Sequence, residues 1–320
     1  MLKSKKYLQI LFLLFGVILT ITFGYTYQFS KQYPLPFTNH ISFDAKIKFI
    51  KEHIDPRKID TIIVGSSIGL NNVQGVYLEK SSQKCQGVLN FSVYGSSSVQ
   101  VEQVLELIGA FPNLKRVIYS AQFSDFQHSA SFKNYKPKDI EKYISYGMHP
   151  IIDAKMVADA SKNLAFLENR KNEWAKKYGQ NNKFTYLGFD HTGSVPLHIY
   201  GKDIIKKRWD NPHGSLYVAK AFEALDSMTK NMQKKGIHFY MVQQPYRQAL
   251  IKKYPHILAE LKIFLHRLHT IVPKNGGYIL SLYQELPLSD AYFADRSHLN
   301  DKGSILAAEA IGKFIDEQEK

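Results

Sequence analysis

Short apolar runs alternate with helical periodicity along most of this chain. Residues 59–64 form a largely apolar run closed by Gly65, and comparable runs recur at 87–91, 116–121, 237–243 and 278–282. Runs of this length suit parallel strands buried on both faces. Between them the pattern predicts helices at 45–54, 97–110, 215–235 and 301–315, with a longer helical region after 243 that is broken at Pro255. The helix at 45–54 stops at Asp55-Pro56, because proline disfavours the helical conformation in the residue before it. Parallel strands require long, right-handed crossovers. The predicted fold class is therefore α/β: a five-stranded parallel sheet between two layers of helix. In such sheets the active site lies beyond the carboxyl ends of the strands.

Two stretches depart from the rhythm. Residues 132–212 contain one predicted amphipathic helix at 152–177 and then a glycine- and aromatic-rich piece, 186–193, that reads as loop or hairpin. A substrate-shaping lid and a plain structural elaboration both fit an insertion of this kind. At the other end, Lys3, Lys5 and Lys6 precede residues 7–27, which carry no charge and are rich in Leu, Ile and Phe. About 20 apolar residues span a bilayer, and lysines ahead of the span favour a cytoplasmic N-terminus. A cleaved signal peptide is the competing reading; the length of the run and the lack of a small-x-small site after it favour an uncleaved anchor. The expected organisation is a cytoplasmic stub and transmembrane helix at 1–30, a linker at 31–44, and a domain at 45–320 with the insertion inside it. The domain is expected on the extracytoplasmic side of the cytoplasmic membrane.

Composition narrows the class. Of 320 residues, 44% are apolar and 22% charged, which is ordinary for a globular protein and disfavours both disorder and a polytopic membrane protein. The net charge of +14 is scattered in pairs such as Lys176-Lys177, Lys206-Lys207 and Lys252-Lys253. A scattered excess reads as a solvated surface and would suit anionic glycans or lipid head groups. Without zinc-finger spacing, an RNP pattern or a concentrated basic helix, no nucleic-acid partner is expected. The single Cys85 reads as a small core residue. His266 and His269 lack the context of a zinc motif, so no metal is expected, and the lack of a glycine-rich phosphate loop argues against a nucleotide cofactor.

Three segments could carry chemistry. The first strand ends in Val64-Gly65-Ser66-Ser67-Ile68, which presents Ser67 at the carboxyl edge of a sheet; taken alone, the same residues also read as a turn. A serine hydroxyl needs an imidazole to take its proton and a carboxylate to orient that imidazole. Asp295 and His298 supply both, in a loop before a helix that Asn300 is placed to cap. The same Asp-x-x-His spacing occurs at Asp125/His128 and Asp210/His213, so context rather than spacing singles out the last copy. The third segment follows the second strand, Asn90-Phe91-Ser92-Val93-Tyr94-Gly95. A glycine opening a helix there would let a backbone N–H approach an oxyanion, although an ordinary turn accounts for it equally. Gln243, Gln244, Tyr246 and Arg247 follow the fourth strand and read either as pocket lining or as loop packing.

In this order the three segments resemble the SGNH or GDSL hydrolases. The resemblance spans roughly residues 60–315 without the insertion, and implies a flavodoxin-like, SGNH-hydrolase-like sandwich. It assigns Ser67 as nucleophile, Gly95 as an oxyanion-hole glycine, and Asp295 and His298 as the rest of the triad. Ser66 stands where the family's name-giving Asp usually sits. The family's Gly-x-Asn-Asp segment after the third strand is replaced by Ser120-Ala121-Gln122-Phe123-Ser124-Asp125, where Gln122 is the substitute oxyanion donor. Joined to an N-terminal anchor, the pattern is similar to envelope members that add or remove acyl groups on polysaccharides, often beside a membrane-bound O-acyltransferase. It thus implies an esterase or acyltransferase acting on an envelope polysaccharide or another acylated substrate. The alternative is a catalytically silent protein that binds the glycan or the membrane partner.

Overall fold

A computed structural model describes residues 2–178, 187–204 and 217–320. Lys206, Lys207, Asp210 and His213, the start of the helix expected from 215, and Tyr186 lie outside the described residues. The chain opens with α1 (Leu2–Gln32) and α2 (Ile41–His53), followed by β1 (Thr61–Gly65), α3 (Ser67–Asn72), α4 (Gly75–Ser81), β2 (Val88–Asn90), α5 (Ser98–Leu105) and β3 (Arg116–Ala121). The insertion contributes α6 (Pro137–Ile144), α7 (Pro150–Ser161) and α8 (Leu164–Tyr178). Then come α9 (Ala219–Lys234), β4 (His238–Gln243), α10 (Gln248–Lys253), α11 (Pro255–Ile271), β5 (Tyr278–Ser281), α12 (Leu282–Glu285) and α13 (Asp301–Gln318).

All five strands are parallel, in the order β2-β1-β3-β4-β5. This is the order of doubly wound flavodoxin-like sheets, in which a crevice opens where the strand order reverses. Here that switch lies between β1 and β3. Side chains alternate strictly between the two faces. Ile62, Val64, Val117, Tyr119, Phe239 and Met241 pack with α2, α5, α9 and α11 on one side. Ile63, Ile118, Tyr240 and Val242 pack with Val73, Leu78, Ala307, Ala308, Ile311 and Ile315 on the other. Each strand is apolar on both sides because each side faces a helical layer.

Gly65 closes β1 with φ +155°, and a Cβ there would lie 2.3 Å from the Ser120 carbonyl of β3. Only glycine lets the chain leave β1 at this point, so the residue that delivers Ser67 is fixed by backbone sterics.

Several boundaries differ from the sequence reading, each for a local reason. The apolar helix runs on through Gln32. It is long and apolar enough to cross a membrane. The domain begins before residue 45, since Phe43 is fully buried and Asp44 accepts from both Thr38 N and Thr38 Oγ1. The single helix expected at 152–177 is two, α7 and α8. The helical region after β4 is broken at Pro255 as expected: α10 ends at Lys253, and Pro255 starts α11 at its first turn, where its missing N–H costs nothing. Residues 187–193 are loop and turn, one of the two forms expected of them.

Candidate active site

Ser67 is the first residue of α3, immediately past β1. Its Oγ lies 2.9 Å from His298 Nε2. The opposite nitrogen of that ring, Nδ1, is 2.9 and 3.0 Å from the two oxygens of Asp295. Residues more than two hundred positions apart thus form a continuous Ser-His-Asp hydrogen-bonded relay. With Nδ1 donating to the carboxylate, Nε2 is left as the acceptor facing the serine hydroxyl.

The loop that carries Asp295 and His298 is held from several directions. Asp295 is 1% exposed, and its Oδ1 accepts the backbone N–H groups of Ser297 (2.9 Å) and His298 (2.8 Å). Burial alone would raise this carboxyl; the His298 ring and the two N–H groups outweigh it and hold the group well below the usual carboxylate range. Asn72, at the end of α3, donates to Ser297 O (3.0 Å) and accepts from Leu299 N (2.8 Å). Asn300 caps α13 by accepting from Gly303 N at 3.0 Å and donates to Ala291 O at 2.8 Å. The helix bearing the nucleophile and the loop bearing the base are therefore bolted to one another.

Gly95 lies on the same edge, two residues beyond the last backbone bond to β1, Val93 N to Gly65 O. It does not open a helix as expected: α5 begins at Ser98, capped reciprocally by Ser97 and Gln100. Gly95 instead sits in the preceding turn, exposed, with φ +68° and open space where a Cβ would be. Among the described residues its N–H has no acceptor.

Gln122 does not match its expected role in this arrangement. Its Nε2 donates to Pro245 O (2.9 Å) and Ser297 O (3.3 Å), which occupies both amide hydrogens. The amide cannot be turned over, because its oxygen would then face two carbonyls. Gln122 is a tie between the β3 and β4 loops and the catalytic loop, and an oxyanion could recruit it only by breaking one of these bonds.

Asp125, which the sequence offered only as a decoy Asp-x-x-His motif, is buried behind the site. Its carboxylate accepts Gln122 N at 2.8 Å and a bond from the Ser66 hydroxyl. Burial pushes it up to about 6, against the opposing pull of the Gln122 N–H, the Ser66 hydroxyl and the nearby His298. Its motif partner His128 is exposed. Asp125 and Asn72 were the residues missed. Asp125 sits one strand away from Ser66, and Asn72 ends a helix of only six residues.

Gln243 at the end of β4, and Tyr246 and Arg247 after it, are held by neighbouring side chains. Ser281 Oγ donates to Gln243 Oε1 at 2.8 Å, Tyr246 stacks on Phe123 at 4.9 Å, and Arg247 pairs with Asp290 at 2.7 Å. The second half of the insertion walls the carboxyl edge beside α3, through Val195 N to Leu70 O (3.0 Å), Asn71 Nδ2 to Val195 O (2.8 Å) and Asp301 N to Leu197 O (2.9 Å). The sequence matches no protein-family model and no curated protein.

Proposed function

We propose that this chain is a membrane-anchored serine esterase or acyltransferase of the SGNH type, acting on acyl esters of an extracytoplasmic envelope polysaccharide. The observation that carries the reading is the unbroken relay Ser67–His298–Asp295, with contacts of 2.9 to 3.0 Å. His298 Nε2 takes the Ser67 proton as Oγ attacks the acyl carbonyl. The tetrahedral intermediate collapses when His298 returns that proton to the departing alkoxide, leaving an acyl-serine. Water or a sugar hydroxyl, deprotonated by the same nitrogen, then takes the acyl group and restores Ser67. The Ser67 and Gly95 backbone N–H groups are the oxyanion donors in this scheme.

The test is release of p-nitrophenol from p-nitrophenyl acetate by the full-length protein in detergent. Activity should fall by about three orders of magnitude or more in Ser67→Ala and in His298→Ala. An acylated sugar oligomer among the products would identify the transferase. Equal rates in the wild type and both variants would remove the catalytic reading.

One observation favours a second reading. The amide of Gln122 is engaged, and one lost oxyanion donor costs about 3 kcal/mol of transition-state stabilisation. A chain that keeps the fold but binds the glycan, or a membrane O-acyltransferase partner, without turnover would tolerate that loss. In that case Ser67→Ala would leave glycan binding and cellular function unchanged.

A further inference from the structure

We propose that the loop before α7 and its first turn form a collar seated in the bilayer interface, fixing the amino edge of the sheet on the membrane. The Ser67 site is thereby turned away from the membrane, toward polymer in the envelope rather than toward membrane lipid. The inference rests on reading α1 as a membrane span and Ser67 as the reactive centre.

The first observation is a cluster. Outside α1, the large apolar side chains exposed among the described residues are Tyr146, Met148, Ile151, Leu164, Tyr200 and Ile263. Half of them fall within one six-residue stretch, and Met148 and Ile151 are 91% and 83% exposed. Isolated exposed apolar residues need no explanation, but a contiguous group marks a surface that leaves water.

The second observation places the cluster beside the span. α1 packs along α7. Phe29 and Leu35 pack with Met156 and Val157, and the C-terminal half of α7 shares a cavity of about 420 Å³ with Leu35, Pro36 and Phe37. The N-terminal half of α7 therefore runs back along α1, in which Thr26 is fully buried and Thr22 half-buried. Residues 7–30 carry no charge, and a bilayer core takes about 20 of them. Wherever the helix slides within that range, Thr22 stays at membrane depth. Thr20, Thr22, Thr26 and Ser30 each donate their hydroxyl to a carbonyl of their own helix, so none of these four hydroxyls is left unsatisfied in lipid. Tyr146, Met148 and Ile151 thus lie at the end of α7 nearest the hydrocarbon.

The third observation gives the orientation. Arg57 stacks over the Tyr146 ring, 3.3 Å from its centroid, and Lys51, near the end of α2, pairs with Asp153 in the first turn of α7 at 3.2 Å. Both cations lie just before β1, at the amino edge of the sheet. Ser67 follows β1 at the other edge, separated by five residues, or roughly 16 Å of strand.

The test uses the full-length protein in phosphatidylcholine–phosphatidylglycerol vesicles. A fluorophore is attached at Phe15→Cys, Met148→Cys, Ile151→Cys or Lys202→Cys, with the wild type, whose Cys85 is buried, as the labelling blank. Phe15 lies in the span. Lys202 marks the carboxyl edge, because the neighbouring Tyr200 hydrogen-bonds to Asp301 at the start of α13. Nitroxide lipids then report depth. The expected result is deep quenching at Phe15, shallow quenching at Met148 and Ile151, and none at Lys202. Quenching at Phe15 without any at Met148 and Ile151 overturns the collar while the anchor stands. Loss of quenching at Phe15 removes the anchor and the collar together, and quenching at Lys202 overturns the orientation. Turnover of p-nitrophenyl acetate is read separately in the same samples, so failure of the catalytic reading is distinguishable from all three.

Discussion

The carboxyl of Asp125 shows how one buried group shapes the site without belonging to the relay. Its folded value of about 6 exceeds the ordinary 3.8 because burial disfavours its charge. A raised carboxyl contributes stability that is fully present below its unfolded value and lost as pH rises through the folded value. Over that window the difference is roughly 3 kcal/mol. Asp125→Asn keeps the shape and removes the ionisation. Relative to this variant, the wild type should lose stability between about pH 4 and pH 7, measured by urea unfolding at the two ends. Parallel pH dependences in both proteins would show that the carboxyl ionises freely in the folded state. The neighbouring Ser66 explains how the site accommodates a serine where the resembled family has Asp: the hydroxyl donates to Asp125, whereas a carboxylate at 66 would face a second one. This arrangement was illegible from spacing alone, because the pair is assembled across two strands rather than along the chain.

Elements were more legible than contacts. β3 was read to the residue, and β1, β4 and β5 to within two, because a strand buried on both faces writes itself as a continuous apolar run. The Asp295–His298 loop was found through the helix after it, whose cap and buried face are local signals. Asn72 could not be found this way. It ends a helix of six residues, too short to show a periodic pattern, and its partners Ser297 and Leu299 are 225 and 227 positions away. Its importance is testable. Asn72→Ala leaves the Leu299 N–H buried and unpaired, at about 1–3 kcal/mol, leaves Ser297 O with only its longer bond from Gln122, and frees the loop that aims His298. We expect a lower melting temperature together with a fall in kcat for p-nitrophenyl acetate at nearly unchanged KM. Asn72→Asp restores the acceptor for Leu299 N–H but faces Ser297 O with another acceptor, so it should recover only part of the loss. Equal kcat in all three proteins would make Asn72 a purely structural clamp.

At the scale of the whole molecule, the question left by the sequence was whether residues 132–212 form a moving lid or a fixed elaboration. The described parts are pinned to the sheet's first layer. Phe132 packs on Phe43 with ring centroids 4.4 Å apart, and Lys46 donates to the carbonyls of both Gly193 and Asn90. The firmest link is Arg170 of α8, 1% exposed, whose Nη2 donates to Asp44 at 2.6 Å and to Thr38 O at 3.0 Å. Such a pair contributes little net stability over an apolar replacement, but removing Arg170 leaves without its partner a buried carboxyl that burial already pushes up to about 8. Arg170→Ala should therefore destabilise the protein by about 3–5 kcal/mol. Pairing Asp44→Asn with Arg170→Met, which removes both charges, should recover most of that loss, as read by denaturant midpoint. Hydrogen exchange then locates the damage. With the ion pair broken, α8 and the segment preceding α2 should open together, while β3 and β4 keep their protection. If α8 instead exchanges freely in the wild type while α2 stays protected, the insertion moves independently and is a lid after all.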